Sequence, residues 1–83
     1  MKYSIVVLAK AAKNLQRIPH GDQDAIRSRI DKLADGLTGD VKRLKSFSPR
    51  YRMRVGNYRV LFDIDGNRIV IGLIGHRKDV YDG

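Results

Sequence analysis

Arginines recur at alternate positions in one short stretch of this 83-residue chain. Arg52 and Arg54 alternate with apolar residues, and Arg59 follows the dipeptide Gly56-Asn57, which favours a tight turn between two β-strands. Such alternation puts the apolar side chains on one face of a β-hairpin and the arginines on the other. With that turn, Arg54 lies directly opposite Arg59, and like charges so placed are destabilising. The pair indicates a polyanionic ligand, unless both side chains simply splay into screened solvent.

The other face of this hairpin is apolar. Its predicted cross-strand pairs are Val55–Tyr58, Met53–Val60 and Tyr51–Phe62. We therefore assign both tyrosines to the core rather than to a ligand site. On the arginine face, Arg50 lies across from Asp63 in this register, which predicts a surface salt bridge between them.

A second hairpin follows, with its turn at Asp65-Gly66 or at Gly66-Asn67. It brings a third strand, and strict alternation along this strand adds further side chains to the arginine face: Leu61 from the preceding strand, and Val70, Ile74 and His76 from the new one. The same pairing puts Gly72 beside Arg59, where a glycine leaves room over the sheet for a ligand backbone. Arg77, Lys78 and Tyr81 come next, so basic and aromatic groups collect near one end of the sheet.

Composition limits the classes of function. The chain carries 17 Lys and Arg against 9 Asp and Glu, a formal charge of +8, which favours nucleic acid, an anionic membrane or an acidic protein as partner. It has no cysteine, so disulfides and cysteine metal sites are excluded, and we expect neither metal nor cofactor. The apolar run at residues 5–9 is shorter than a signal sequence requires, and no run reaches membrane-spanning length, so we expect a cytoplasmic protein.

Residues 1–83 are predicted to form one domain. A strand at residues 2–7, nearly all apolar from Ile5, is expected to be central or covered on both faces. Apolar stripes at helical spacing then predict two helices, the first from Leu8 to Ile18 and the second from an N-cap at Asp22 to a stop at Gly36. Residues 41–47 are ambiguous between strand and loop. The predicted fold class is α+β, with order β-α-α-β-β-β: a small, twisted, mostly antiparallel sheet with an N-terminal αα-hairpin packed on its apolar face.

The segments YRMRVGNYRVLF and VIGLIGHRKDVY resemble the RelE/ParE superfamily of toxins from toxin–antitoxin operons. The likeness extends over nearly the whole chain, and R-x-G-x-Y-R and G-H-R-K-D-V-Y are its most specific parts. These motifs are more similar to the RelE branch, ribosome-dependent mRNA interferases, than to the ParE branch, which acts on DNA gyrase. The resemblance implies a RelE-like microbial RNase fold. It also implies cleavage of mRNA in the ribosomal A site, by attack of a ribose 2′-OH on the adjacent phosphate.

The resemblance also implies roles for individual residues. Arg52 and Arg54 take the positions of two basic residues on the first hairpin strand, and Arg59 takes that of a phosphate-stabilising arginine. Arg77 matches an arginine that protonates the leaving oxygen, and Tyr81 matches a tyrosine that stacks on a base. Clustered guanidiniums suit this reaction because negative charge develops on the phosphate oxygens.

The chain departs from the family pattern at two of these positions. Several relatives have lysines where this chain has Arg52 and Arg54, and an arginine cannot act as a base because its pKa exceeds ~12. Two explanations follow. Either catalysis rests on electrostatics and geometry, with the ribosome supplying the rest, or His76 transfers a proton. The alternative for His76 is a structural residue at a strand end.

Five other basic residues are expected to contact RNA or rRNA, the alternative being solvated side chains: Lys42, Arg43, Lys45, Arg50 and Lys78. The resemblance implies an acidic cognate antitoxin, which we expect to cover Leu61 and Val70, and contact with DNA only through that antitoxin. Two other functions stay open, a ParE-like DNA gyrase inhibitor on the same fold and a non-catalytic, nucleic-acid-binding co-repressor.

Overall fold

The computed structural model describes residues 2–37, 39–45 and 49–80. In chain order its elements are β1 (Ser4–Val7), α1 (Ala9–Gln16), α2 (His20–Leu33), β2 (Val41–Arg43), β3 (Tyr51–Val55), β4 (Tyr58–Asp65) and β5 (Arg68–His76). The strands form one sheet in the order β1-β5-β4-β3-β2, antiparallel throughout except where β1 pairs with β5. The predicted α+β fold is confirmed, and the ambiguous segment after residue 40 supplies a short fifth strand.

The two helices begin and end close to the predicted positions. The first helix buries Ala11 and Leu15, whereas Leu8 precedes it and is 47% exposed. Asp22 does not cap α2, because Pro19 takes the N-cap position. Asp22 falls in the first turn, where a carboxylate suits the helix dipole. Neither helix in the described part of the chain combines the length and apolarity needed to cross a membrane.

The helices cover one face of the sheet, as predicted. Their apolar stripes and the apolar sides of the strands form a single core: Ala11, Leu15, Ile18, Ile26, Ile30, Leu33, Met53, Val60, Phe62, Ile69, Ile71 and Ile74. Tyr51 stacks on Phe62 with ring centroids 5.4 Å apart. The side-chain amide of Gln23, which is buried, donates to the carbonyl of Ile18 at 2.6 Å. It thus supplies a hydrogen bond to a carbonyl in the connection between the two helices.

The position predicted for β1 is wrong. It lies at one edge of the sheet, where it pairs in parallel with β5 alone. Ile5 is only half-buried and Val7 is 42% exposed. An apolar run alone does not distinguish a central strand from an edge strand that packs against a helix on one face.

A β-bulge in β5 changes which side chains share a face. The turn lies at Gly66-Asn67, where Gly66 has φ +62°, and it pairs Phe62 with Ile71. The next pair is Leu61 with Leu73, so Gly72 is an extra residue that has no pairing partner on β4. An extra residue shifts the alternation by one, so every later side chain of β5 faces the side opposite to its predicted one.

Three predictions about β5 are therefore wrong. Ile74 is buried in the core under the helices rather than on the arginine face. His76 pairs with Tyr58 and lies on the helix side as well. The residue beside Arg59 is Gly75 and not Gly72.

Candidate functional site

Three arginines lie together on the face of the sheet away from the helices, which we call the arginine face. Arg52 and Arg54 come from β3, and Arg59 lies directly opposite Arg54 on β4, as predicted. Arg52 and Arg59 are 5% and 8% exposed, whereas the Arg54 side chain is half exposed. Two guanidiniums are therefore built into the protein rather than extended into solvent.

Asp40 lies among these arginines. Its Oδ2 accepts a hydrogen bond from Arg54 Nε at 2.6 Å, and its Oδ1 lies 3.8 Å from Arg52 Nη1. The hydrogen bond from Arg54 and the charges of Arg54, Arg52 and Arg59 lower the pKa of Asp40, although desolvation acts in the opposite direction. The side chain is therefore a carboxylate near neutral pH.

Sequence reasoning missed Asp40. Val41 pairs with Met53 and Lys42 with Arg52, a register that brings Asp40 level with Arg54. The main chain agrees, since the Arg54 amide donates to the carbonyl of Asp40 at 3.0 Å. The contact between Asp40 and Arg54 could have been predicted only from the pairing of β2 with β3. The sequence alone did not establish the three-residue strand β2.

The two buried arginines differ in their hydrogen bonding. Arg59 Nη1 donates to the carbonyls of Gly56 and Tyr58, at 3.2 and 3.0 Å, so its guanidinium is held at the β3–β4 turn. Arg52 Nε and Nη1 are buried and have no hydrogen-bond partner among the residues that the structure describes. Buried donors without acceptors are costly, and such a group suits a site that receives an anion.

An apolar cluster lies on the same face as the arginines. Leu44, Leu61 and Val80 are buried together there, with Leu73 packed against them. Leu61 is 6% exposed, so it does not present the accessible apolar surface predicted for an antitoxin contact. Val70 lies on the same face outside this cluster and is half-buried.

The segment after β5 folds back over the sheet. A Cβ added at Gly75 would lie 2.6 Å from Val80 Cγ2, so the glycine that neighbours Arg59 makes room for Val80. The Arg77 amide donates to the carbonyl of Asn57 at 2.7 Å. Arg59 and Arg77 are thus anchored to the same β3–β4 turn.

The other predicted basic residues lie in different places. Lys42 pairs with Arg52 and shares its face, whereas Arg43 pairs with Tyr51 and lies on the helix side. Lys45 is exposed beyond β2.

Two further basic residues, Arg50 and Lys78, donate hydrogen bonds through their main-chain amides. Between Arg50 and Asp63, the predicted salt-bridge pair, the contact is a hydrogen bond of 2.7 Å from the Arg50 amide to Asp63 Oδ1. Lys78 is exposed, and its amide donates to Nδ1 of His76. The predicted base-stacking residue, Tyr81, lies outside the described residues.

His76 belongs to a separate cleft on the helix side. The cleft has a volume of about 250 Å³ and is lined by Asp22, Ala25, Ile26, Val55, Gly56, Asn57, Tyr58 and His76. Tyr58 donates its hydroxyl hydrogen to Asp22 Oδ2 at 3.1 Å, and desolvation together with Asp22 raises the pKa of Tyr58. The prediction that His76 shares the face of Arg59 is therefore wrong, since His76 lies beside Tyr58 on the helix side of the sheet.

Comparison with known proteins places the chain in a family. Residues 5–81 match the model of the family described as the ParE toxin of the type II toxin-antitoxin system, parDE. The toxin RelE3 of Methanocaldococcus jannaschii is 32% identical, over 93% of this chain and 94% of that protein.

Solved structures agree with this assignment. The structure of a RelB-RelE antitoxin-toxin complex from Methanococcus jannaschii matches with a TM-score of 0.76 and 27% identity, over 89% of this chain and 92% of that one. The toxin–antitoxin complex RelBE2 of Mycobacterium tuberculosis shares the fold, with a TM-score of 0.81 and 23% identity over 93% of this chain and all of that one. With a family match over nearly its whole length and this fold, the chain belongs to the RelE/ParE superfamily of type II toxin–antitoxin toxins.

Proposed function

We propose that this toxin is a ribosome-dependent endoribonuclease that cleaves mRNA in the ribosomal A site. The observation that supports the proposal is the arrangement of Arg52, Arg54 and Arg59 around one carboxylate, that of Asp40. Carboxylate and phosphodiester oxygens accept charge-assisted hydrogen bonds in the same way. A face whose donors bind a carboxylate therefore also has donors that can bind a phosphodiester.

In the proposed reaction, the ribose 2′-oxygen forms a bond to the adjacent phosphorus and the bond from phosphorus to the 5′-oxygen breaks. The products are a 2′,3′-cyclic phosphate and a free 5′-OH. Arg52, Arg54 and Arg59 stabilise the charge that develops on the phosphate oxygens, and the burial of two of them strengthens this effect. Arg77, which is exposed beside the β3–β4 turn, is proposed to donate a hydrogen bond to the leaving 5′-oxygen, which takes its proton from solvent or the ribosome.

Neither the three arginines nor Asp40 is a strong base. Arginines stay protonated, and Asp40 is a weakened base because neighbouring arginines lower its pKa. The 2′-OH proton therefore passes to the ribosome or to solvent, and we expect cleavage of naked RNA by the isolated protein to be weak.

The proposal includes an acidic antitoxin as partner. RelE chains of this fold have been solved as complexes with RelB antitoxins. A formal charge of +8 favours an acidic partner. We propose that the antitoxin covers the arginine face and the adjoining half-buried Val70, and so blocks RNA.

Inducible expression followed by mapping of mRNA 5′ ends tests the nuclease. We expect translation arrest and cuts at fixed positions within codons, lost in the double variant Arg59→Ala/Arg77→Ala. Arg68→Ala is the matched control, because Arg68 pairs with Asp65 at the far turn, at 3.0 Å. Undiminished arrest in a folded double variant refutes this site.

The matching family model, which is that of ParE toxins, favours a second candidate, inhibition of DNA gyrase. The same induction experiment separates the two. A gyrase inhibitor induces the DNA-damage response and leaves mRNA 5′ ends unchanged.

A further inference from the structure

We propose that Asp40 is a built-in competitor of the substrate phosphate, which occupies Arg54 in the unbound toxin and is displaced when RNA binds. This inference rests on the proposed function, since it concerns the same arginine face. Asp40, in the loop before β2, thus sets how tightly the arginine face holds a phosphate.

The geometry of the Asp40–Arg54 pair suits displacement. Oδ2 lies 2.6 Å from Arg54 Nε, a close charge-assisted hydrogen bond. Both side chains are about half exposed, 47% for Asp40 and 49% for Arg54. An RNA phosphate can therefore approach Arg54 from solvent, and the carboxylate can turn away without breaking the core.

The backbone of Asp40 is held independently of its carboxylate. Its carbonyl accepts the Arg54 amide hydrogen at 3.0 Å. Gly39, just before it, has φ +88°, a conformation that other residues rarely adopt, and the Arg29 guanidinium occupies the space where a Cβ would lie. The side chain can thus change partner while the loop stays in place.

Arg52 offers the displaced carboxylate a second partner. Its buried Nε and Nη1 have no hydrogen-bond acceptor among the described residues, and Nη1 is already 3.8 Å from Asp40 Oδ1. At this distance the charge of Arg52 still attracts the carboxylate when it leaves Arg54. This attraction offsets part of the interaction that is lost at Arg54.

The test measures binding of a 2′-O-methyl RNA trinucleotide, which lacks the attacking hydroxyl and is not cleaved. In Asp40→Asn, which keeps the shape of the side chain and loses its charge, we expect about two- to fivefold tighter binding, the size of a half-exposed ion pair. The salt dependence of binding should also become steeper. Asp65→Asn is the control, because it removes the same charge from a carboxylate paired with Arg68 at the far turn.

A double-mutant cycle separates competition from simple repulsion. In an Arg54→Gln background, Asp40→Asn should give no further gain, because Asp40 no longer competes for that guanidinium. Equal or weaker binding by Asp40→Asn, or a gain that persists without Arg54, overturns the proposal. The readout needs no ribosome, so absent mRNA cleavage would refute the proposed function while the Asp40 effect on binding is still measured.

Discussion

His76 lies edge-on against Tyr58, with the ring centroids 5.6 Å apart, on the side of the sheet that the helices cover. We therefore expect His76→Asn to retain mRNA cleavage, measured by mapping 5′ ends at equal protein levels. Asparagine Oδ1 can replace Nδ1 as acceptor of the Lys78 amide hydrogen. A loss of about a hundredfold or more, the usual contribution of a proton-transfer group, would contradict this placement.

Arg52→Met should make the protein more stable and less active. The change removes buried donors that have no acceptor in the described part of the chain, and methionine can fill much of the same space. We expect the free energy of unfolding to rise by about 1 kcal/mol, measured by urea denaturation, and cleavage to fall. Arg54→Met is the control, because that side chain is half exposed and its replacement should give no such gain. Destabilisation by Arg52→Met would show that the guanidinium has partners that offset its burial.

Gly75→Ala should disturb the segment that carries Arg77. The new Cβ would lie 2.6 Å from Val80 Cγ2, and overpacking of this kind costs about 1–3 kcal/mol in the free energy of unfolding. Cleavage should fall with it, because the turn beyond β5 has to move. Adding Val80→Ala should restore part of both losses.

Gly21→Ala provides the control for this glycine. Gly21 lies in the first turn of α2, and nothing lies within 4 Å of a Cβ built there. Stability and cleavage should stay at wild-type levels or rise slightly. If Gly75→Ala behaves in the same way, Val80 does not constrain the position of Arg77.

The Asp40 ion pair should make stability depend on pH in the acidic range. The pKa of this carboxyl in the folded protein lies below its ordinary value of 3.8. Its contribution is therefore fully present above pH 3.8 and is lost as the pH falls through the folded-state pKa. The difference in Tm between wild type and Asp40→Asn should be largest near neutral pH and shrink in acid. A difference that stays constant across this range would show that the carboxylate makes no net ion pair with the arginines.

The hairpin that carries the arginines was predictable, because its alternation is strict and Gly56-Asn57 permits few registers. The side of the sheet on which the later side chains of β5 lie was not predictable. Leu73 and Ile74 are both apolar, so the residue types do not reveal that Gly72 interrupts the alternation between them. This single extra residue decides on which side of the sheet His76 lies.

Asp40 escaped prediction for a different reason. Its role depends on the pairing of β2, three residues long, with β3 some ten residues further along the chain. Propensity and periodicity carry almost no information about so short a strand. Local patterns thus located the cations, while the anion that accompanies them depended on tertiary structure.

The parallel pairing of β1 with β5 also has a consequence during synthesis. Ser4 pairs with Arg68, so the first strand cannot pair until most of the chain has been synthesised. A nascent chain that is truncated before β5 lacks Ile69, Ile71 and Ile74 from its core and cannot complete the sheet. Incomplete translation products of this gene should therefore be harmless, with toxicity acquired only when the last strand has been made.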